Sequence, residues 1–183
     1  MKKLFFLTAV FCLLSISAFA QGKARDFSGT WTLDVGKSKL DERARIESMT
    51  LTVAQTAGEI RIETATKRLP PPADAPQGGM GRGMGRGGSG GDGTTTYTLD
   101  GKETTIQQEG PMGSMPVKLT AKAEGDKLHL SRTSTFIGPM GEMTISNKET
   151  WSISDDGKTL TIEREMSSPR GTSASTMVFT KKS

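Results

Sequence analysis

From about residue 46 onward the chain alternates apolar and polar positions with a period of two, the pattern of half-buried β-strands. Met49-Thr50-Leu51-Thr52-Val53, Ile60-Arg61-Ile62, Val117-Lys118-Leu119-Thr120-Ala121 and Leu128-His129-Leu130 all follow it. So do Ile145 to Ile153 and Leu160-Thr161-Ile162. With Phe27 to Val35, Thr94 to Leu99, Glu103 to Gln108 and Ser173 to Thr180, the pattern predicts about ten strands. No stretch has convincing helical periodicity. Only Lys37 to Ile46 has room for a short turn or cap. The expected class is all-β.

The breaks between these runs are of two chemical kinds that alternate along the chain. Thr56-Ala57-Gly58, Asp100-Gly101, Gly125-Asp126 and Asp156-Gly157 are short and plain. The Pro/Gly-rich stretch from Pro70 to Gly93, Gly110-Pro111-Met112-Gly113-Ser114-Met115, Gly138-Pro139-Met140-Gly141-Glu142-Met143 and Pro169-Arg170-Gly171 are elaborate. In an up-and-down antiparallel sheet successive turns lie at opposite ends, so one end is plain and the other carries all the methionine-, proline- and arginine-bearing loops. Function belongs on the elaborated end. A type I′ turn is expected at each Asp-Gly-Lys unit, Asp100-Gly101-Lys102 and Asp156-Gly157-Lys158.

Turn positions fix register. A loop at Asp156-Gly157 pairs Ile153 with Leu160, Trp151 with Ile162, and Glu149 with Arg164. A loop at Gly125-Asp126 pairs Ala123 with Leu128, Ala121 with Leu130, and Leu119 with Arg132. Most of these pairs set apolar against apolar, which supports the register independently. Closing such a meander into a barrel removes exposed edges. The expected architecture is a single up-and-down antiparallel β-barrel of about 8–10 strands. The Pro70 to Gly93 segment, too poor in apolar residues to order itself, is expected to be a disordered flap over the elaborated end.

The same register places charge inside. Arg132, Glu149 and Arg164 share a phase with Leu128, Leu130, Trp151, Ile153, Leu160 and Ile162, while the opposite phase is Ser, Thr, Lys and Glu. Two arginines and one glutamate would point inward at mid-height. Because desolvation costs several kcal/mol per ion, they need partners. One glutamate shared between two arginines leaves a positive surplus able to hold a carboxylate or phosphate. A structural Arg-Glu-Arg triad without a ligand, or a bulge turning the charges outward, are the competing readings. The loop methionines Met112, Met115, Met140 and Met143 suit either the rim of a promiscuous pocket or a soft Cu(I)/Ag(I) site.

Composition narrows the classes further. Met1-Lys2-Lys3, the apolar run from Leu4 to Phe19 and Ala18-Phe19-Ala20 predict a signal peptide over residues 1–20, cleaved after Ala20, and export to the periplasm or medium of a bacterium. Residues 21–26 are then a short extension and residues 27–183 the domain. The one cysteine, Cys12, falls within the signal, so the mature chain has no disulfide and no membrane span is expected in it. Formal net charge is +4 at pH 7, and losing Lys2 and Lys3 brings it nearer neutral. With no basic run interleaved with aromatics, nucleic-acid binding is not supported. The glycine-rich stretch lacks a Gly-Lys-Ser/Thr element and is no phosphate loop. One histidine, no mature cysteine and no Gly-x-Ser-x-Gly elbow (Gly87-Gly88-Ser89-Gly90-Gly91 lies within the Gly-rich stretch) leave catalysis without support: no enzyme and no cofactor is expected, and the chain is taken as a monomer.

Phe27-Ser28-Gly29-Thr30-Trp31 resembles the Gly-x-Trp signature of lipocalins and, equally, the opening of the intracellular fatty-acid-binding proteins. With Lys37-Ser38 and the run Ser154 to Ile162, the chain is similar to secreted bacterial lipocalin-like proteins. That resemblance implies a calycin-type barrel with Trp31 closing its floor. The second and third lipocalin motifs, a two-helix lid and an Arg-x-Tyr pair are missing from the sequence, so no carboxylate chemistry carries over. Together these readings give a carrier of a small hydrophobic or amphipathic ligand, possible anionic head included. Trp31, Leu130, Trp151 and Ile162 would form the floor, Arg132 and Arg164 held by Glu149 would take the polar group, and Met112, Met115, Met140 and Met143 would line the entrance. The alternatives are the soft-metal binder and an envelope protein with a filled barrel.

Overall fold

The computed structural model describes residues 25–41, 44–70, 92–110, 113–138 and 141–182. The expected signal segment, most of the Pro/Gly-rich stretch, Met112 and Met140 lie outside the described residues. Ten strands follow one another: β1 (Gly29–Leu33), β2 (Ile46–Gln55), β3 (Glu59–Arg68), β4 (Gly93–Thr98), β5 (Thr104–Gly110), β6 (Gly113–Glu124), β7 (Lys127–Gly138), β8 (Gly141–Ile153), β9 (Thr159–Ser168) and β10 (Gly171–Lys181). Between β1 and β2 the described residues form turns, a bridge of Lys39 to Thr176 and a 3-10 residue at Ala44. No helix among the described residues is long and apolar enough to cross a membrane.

All ten strands form one antiparallel sheet in the order β4-β3-β2-β1-β10-β9-β8-β7-β6-β5. Chain neighbours are sheet neighbours almost everywhere, and the first strand closes onto the last through Trp31↔Lys181 and Leu33↔Phe179. The result is a nearly closed up-and-down barrel. The register predicted from turn chemistry is the one observed: Glu149↔Arg164, Trp151↔Ile162 and Ile153↔Leu160 on one hairpin, Leu119↔Arg132, Ala121↔Leu130 and Ala123↔Leu128 on the other. No bulge interrupts these ladders, so the inward phase holds through the charged positions.

Two turn expectations are corrected. At Asp156-Gly157 the loop runs from Asp155 to Lys158, with Gly157 N–H donating to Ser154 O at 2.9 Å. Only Gly157 has a positive φ (70°), whereas a type I′ turn needs two. The wider loop has the same parity, which is why the register survives. At Asp100-Gly101 there is no hairpin, because β4 and β5 do not pair and are the two free edges of the sheet. The Asp100 carboxylate accepts from Lys102 N–H at 2.9 Å, and Gly101 N–H donates to Ala121 O at 3.1 Å. The corner is thereby laid against β6. Turn residues report a change of direction, not which strand comes to lie alongside.

Burial is lopsided along the barrel axis. Trp31, Met49, Leu51, Val53, Ile60, Ile62, Val117, Leu119, Ala121, Leu128, Leu130, Trp151, Leu160, Ile162, Met177 and Phe179 are buried. Most of them occupy the half of their strand nearer the plain end, while Met49 and Val117 lie just past the midpoint toward the elaborated end. Inward-phase positions nearer the elaborated end, such as Met115, Phe136, Met143 and Met166, are only half-buried. The barrel therefore has a packed floor and a looser mouth, with the charged layer between them.

Candidate functional site

Following β7, β8 and β9 upward from the floor, the inward side chains run Leu128, Leu130, Arg132; Ile153, Trp151, Glu149, Asn147; and Leu160, Ile162, Arg164. Apolar layers come first, because these positions face the buried floor, and the polar layer follows where the mouth begins. At that level lies a cavity of about 110 Å³. Leu51, Ile62, Leu130, Trp151, Ile162 and Phe179 line its apolar side, and Tyr97, Gln108, Arg132, Asn147, Glu149 and Arg164 its polar side.

Glu149 is the hub of the polar side. Its Oε1 accepts from Arg164 Nε at 2.8 Å and Asn147 Nδ2 at 3.0 Å, and lies 2.8 Å from Arg164 Nη2 in an ion pair. Its Oε2 accepts from Trp151 Nε1 at 2.7 Å. The indole of the floor and the carboxylate of the charged layer are thus one unit. The Arg164 and Glu149 side chains are only 20% and 12% exposed, so each needs the other.

Glu149 does not hold both arginines. Arg132 Nη2 donates instead to the amide oxygen of Gln108 on β5. Register explains the division: Glu149 stands directly opposite Arg164 across the β8–β9 ladder, while Arg132 is opposite Asn147 across β7–β8. Neither a shared Glu149 nor a self-contained Arg-Glu-Arg triad describes the result. A neutralised pair stands beside an arginine that no carboxylate touches among the described residues. Burial pulls the Arg132 pKa down from its ordinary value, with Tyr97 and Glu149 pulling the other way. The Tyr97 phenol is pushed up by burial and by Glu149, against Arg132 and Arg164.

The remaining sequence candidates are dispersed. Leu130, Trp151 and Ile162 line the cavity, but Trp31 lies beneath it, fully buried, with its Nε1 donating to Phe27 O at 3.0 Å. Met115 packs on the core and Met143 is half-buried, neither of them lining the cavity. Sequence reasoning passed over Asn147, Gln108 and Tyr97. Asn147 shares the parity of Glu149 and was legible on that ground. Gln108 and Tyr97 lie on the edge strands, where alternation is weak among threonines and glutamines. The lone histidine, His129, is away from the cavity on the outer face, where its Nδ1 is 3.2 Å from Thr150 Oγ1.

Fold and site together define an up-and-down antiparallel β-barrel with a polar layer inside it, the fold that the Gly-x-Trp resemblance implied. No protein-family model and no curated protein matches the sequence. Among solved structures, a mutant of the fluorescent protein UnaG matches at 14% identity, covering 86% of this chain and 96% of that one, with a TM-score of 0.50. The zebrafish ileal bile acid-binding protein complexed with cholic acid matches at 16% identity, covering 85% and 98%, with a TM-score of 0.48. At 14% identity the likeness to the UnaG mutant is one of fold.

Proposed function

We propose that the protein is an exported carrier, acting as a monomer and not as an enzyme, for a small amphipathic ligand with an anionic group. The anionic group sits in the charged layer and the apolar body runs toward the half-buried mouth. The observation that carries this reading is Arg132, a half-buried cation whose guanidinium, among the described residues, hydrogen-bonds a neutral amide and ion-pairs with no carboxylate. Burying an unpaired cation is unfavourable, and an incoming carboxylate supplies the missing charge through short hydrogen bonds. A cavity of about 110 Å³ accepts a head group. It is smaller than the roughly 300 Å³ at which pockets for whole drug-sized ligands begin, so the body of the ligand must extend beyond it.

Native mass spectrometry of the chain purified from its own host tests the reading. A non-covalent adduct of a few hundred daltons supports it, and a mass starting at Gln21 supports cleavage after Ala20. Titration calorimetry then locates the anchor. Arg132→Gln should weaken octanoate about tenfold or more and leave 1-octanol unchanged, whereas equal loss for both would remove the anchor from Arg132. Arg164, already neutralised by Glu149, is the weaker candidate. The soft-metal alternative gains no supporting observation, with Met115 packed on the core and Met112 and Met140 outside the described residues.

A further inference from the structure

Two atoms beside the cavity have nothing to bind. Arg132 Nε and Asn147 Oδ1 are both shielded from the surface and make no hydrogen bond among the described residues. Their residues stand directly opposite each other on β7 and β8, and both line the cavity. Side chains so placed start about 5 Å apart. Asn147 is only 5% exposed, and its amide orientation is set: Nδ2 donates to Glu149 Oε1, and the flipped amide would bring Oδ1 against that carboxylate. Arg132 is tethered at Nη2 by Gln108. The wall therefore holds one donor and one acceptor, on side chains paired across the β7–β8 ladder, which a ligand reaches once the two side chains part.

A hydroxyl group answers both at once, accepting from Nε–H and donating its own hydrogen to Oδ1. An ionised oxyanion serves Arg132 but turns a lone pair toward Asn147 Oδ1. Arg132 still carries the uncompensated charge, so the two demands are met together by a ligand with a hydroxyl next to its acid. We propose that the cavity selects hydroxy acids over the corresponding plain acids, with the hydroxyl between Arg132 Nε and Asn147 Oδ1 and the carboxylate on the outer face of the guanidinium. This rests on the anionic-ligand reading above and narrows it. A site with buried polar groups rejects an analogue that leaves them unpaired.

Calorimetry of the mature chain with 2-hydroxyoctanoate, octanoate and 2-methoxyoctanoate decides the matter. The hydroxy acid should bind about tenfold more tightly than octanoate, and the methoxy acid, which accepts but cannot donate, no better than octanoate. Asn147→Leu should bring the ratio of hydroxy acid to octanoate down to about one. If the two acids bind the wild-type chain equally, or the methoxy acid matches the hydroxy acid, water serves the pair and the selectivity proposal falls. If none of the three acids binds, the anionic-ligand reading falls with it.

Discussion

Replacing Glu149 with leucine removes the acceptor of three hydrogen bonds at once, from Arg164, Asn147 and Trp151, together with the ion pair to Arg164. The dominant effect is electrostatic. Arg164 would be left in the cavity wall beside Arg132 with no counter-charge, and breaking a buried pair from one side costs about 3–5 kcal/mol. One fifth of the Arg164 side chain reaches solvent, which favours the lower end. We expect a loss of about 3 kcal/mol, a large share of the roughly 5–15 kcal/mol that holds a domain together. Urea unfolding followed by the fluorescence of Trp31 and Trp151 measures it. Adding Arg164→Met to Glu149→Leu should recover most of the loss, because an apolar pair replaces the orphaned ion. A single-variant loss under about 1 kcal/mol, or a double variant as unstable as the two singles summed, would refute this account of the interior.

Other expectations follow from the same structure. Tyr97 is the only tyrosine, and its phenol is raised above the usual 10.0, so the neutral form is favoured in the fold and that stability is lost as pH climbs past 10. Its ionisation, read by absorbance at 295 nm, should coincide with loss of near-ultraviolet dichroism; a reversible titration near pH 10 in an intact barrel would contradict the burial. The carboxyl of Asp156 is held below 3.8 by the Ser154 hydroxyl and the Lys158 N–H, and that of Asp100 by the Lys102 N–H. These groups favour the fold above their unfolded pKa and cease to as pH falls through the folded one. The melting temperature should therefore drop between about pH 4 and pH 2, less steeply in an Asp100→Asn, Asp156→Asn variant. Gly29 has φ +137°, and a Cβ there would lie 2.7 Å from Lys181 Cε, whose Nζ sits 5.1 Å from the Trp31 ring centroid. Gly29→Ala should cost about 1–3 kcal/mol in unfolding free energy, and a neutral result would remove the physical basis offered for Gly-x-Trp.

Much of this barrel was legible because a strand has a period of two and a turn fixes parity. Reading Asp156-Gly157 as the wrong turn type did no harm, since the true loop has the same parity, and Glu149 still meets Arg164. What parity cannot carry is reach and adjacency. It put Arg132 inside but could not say that its guanidinium bonds Gln108 on β5 instead of Glu149 on the neighbouring strand. It could not show that Asp100-Gly101 turns between two edges that never pair. Both depend on how far the sheet curls before it closes, a property of the whole barrel. The size of the cavity was beyond it for the same reason: packing at the centre is set by ten strands together.

The composition of the charged layer is itself an argument for function. Apolar replacements for a buried ion pair are often neutral or stabilising, so stability alone gives no reason to keep Glu149 and Arg164 above an apolar floor. Arg132 is harder still to justify structurally, since a neutral amide is poor compensation for a desolvated cation whose own Nε–H has no acceptor among the described residues. Positions that break the local rules of a core are expected where a site must stay ready for something else. Here the rule-breaking groups share one cavity at one height in the barrel, and two side-chain atoms left without a hydrogen bond among the described residues belong to residues paired across β7 and β8.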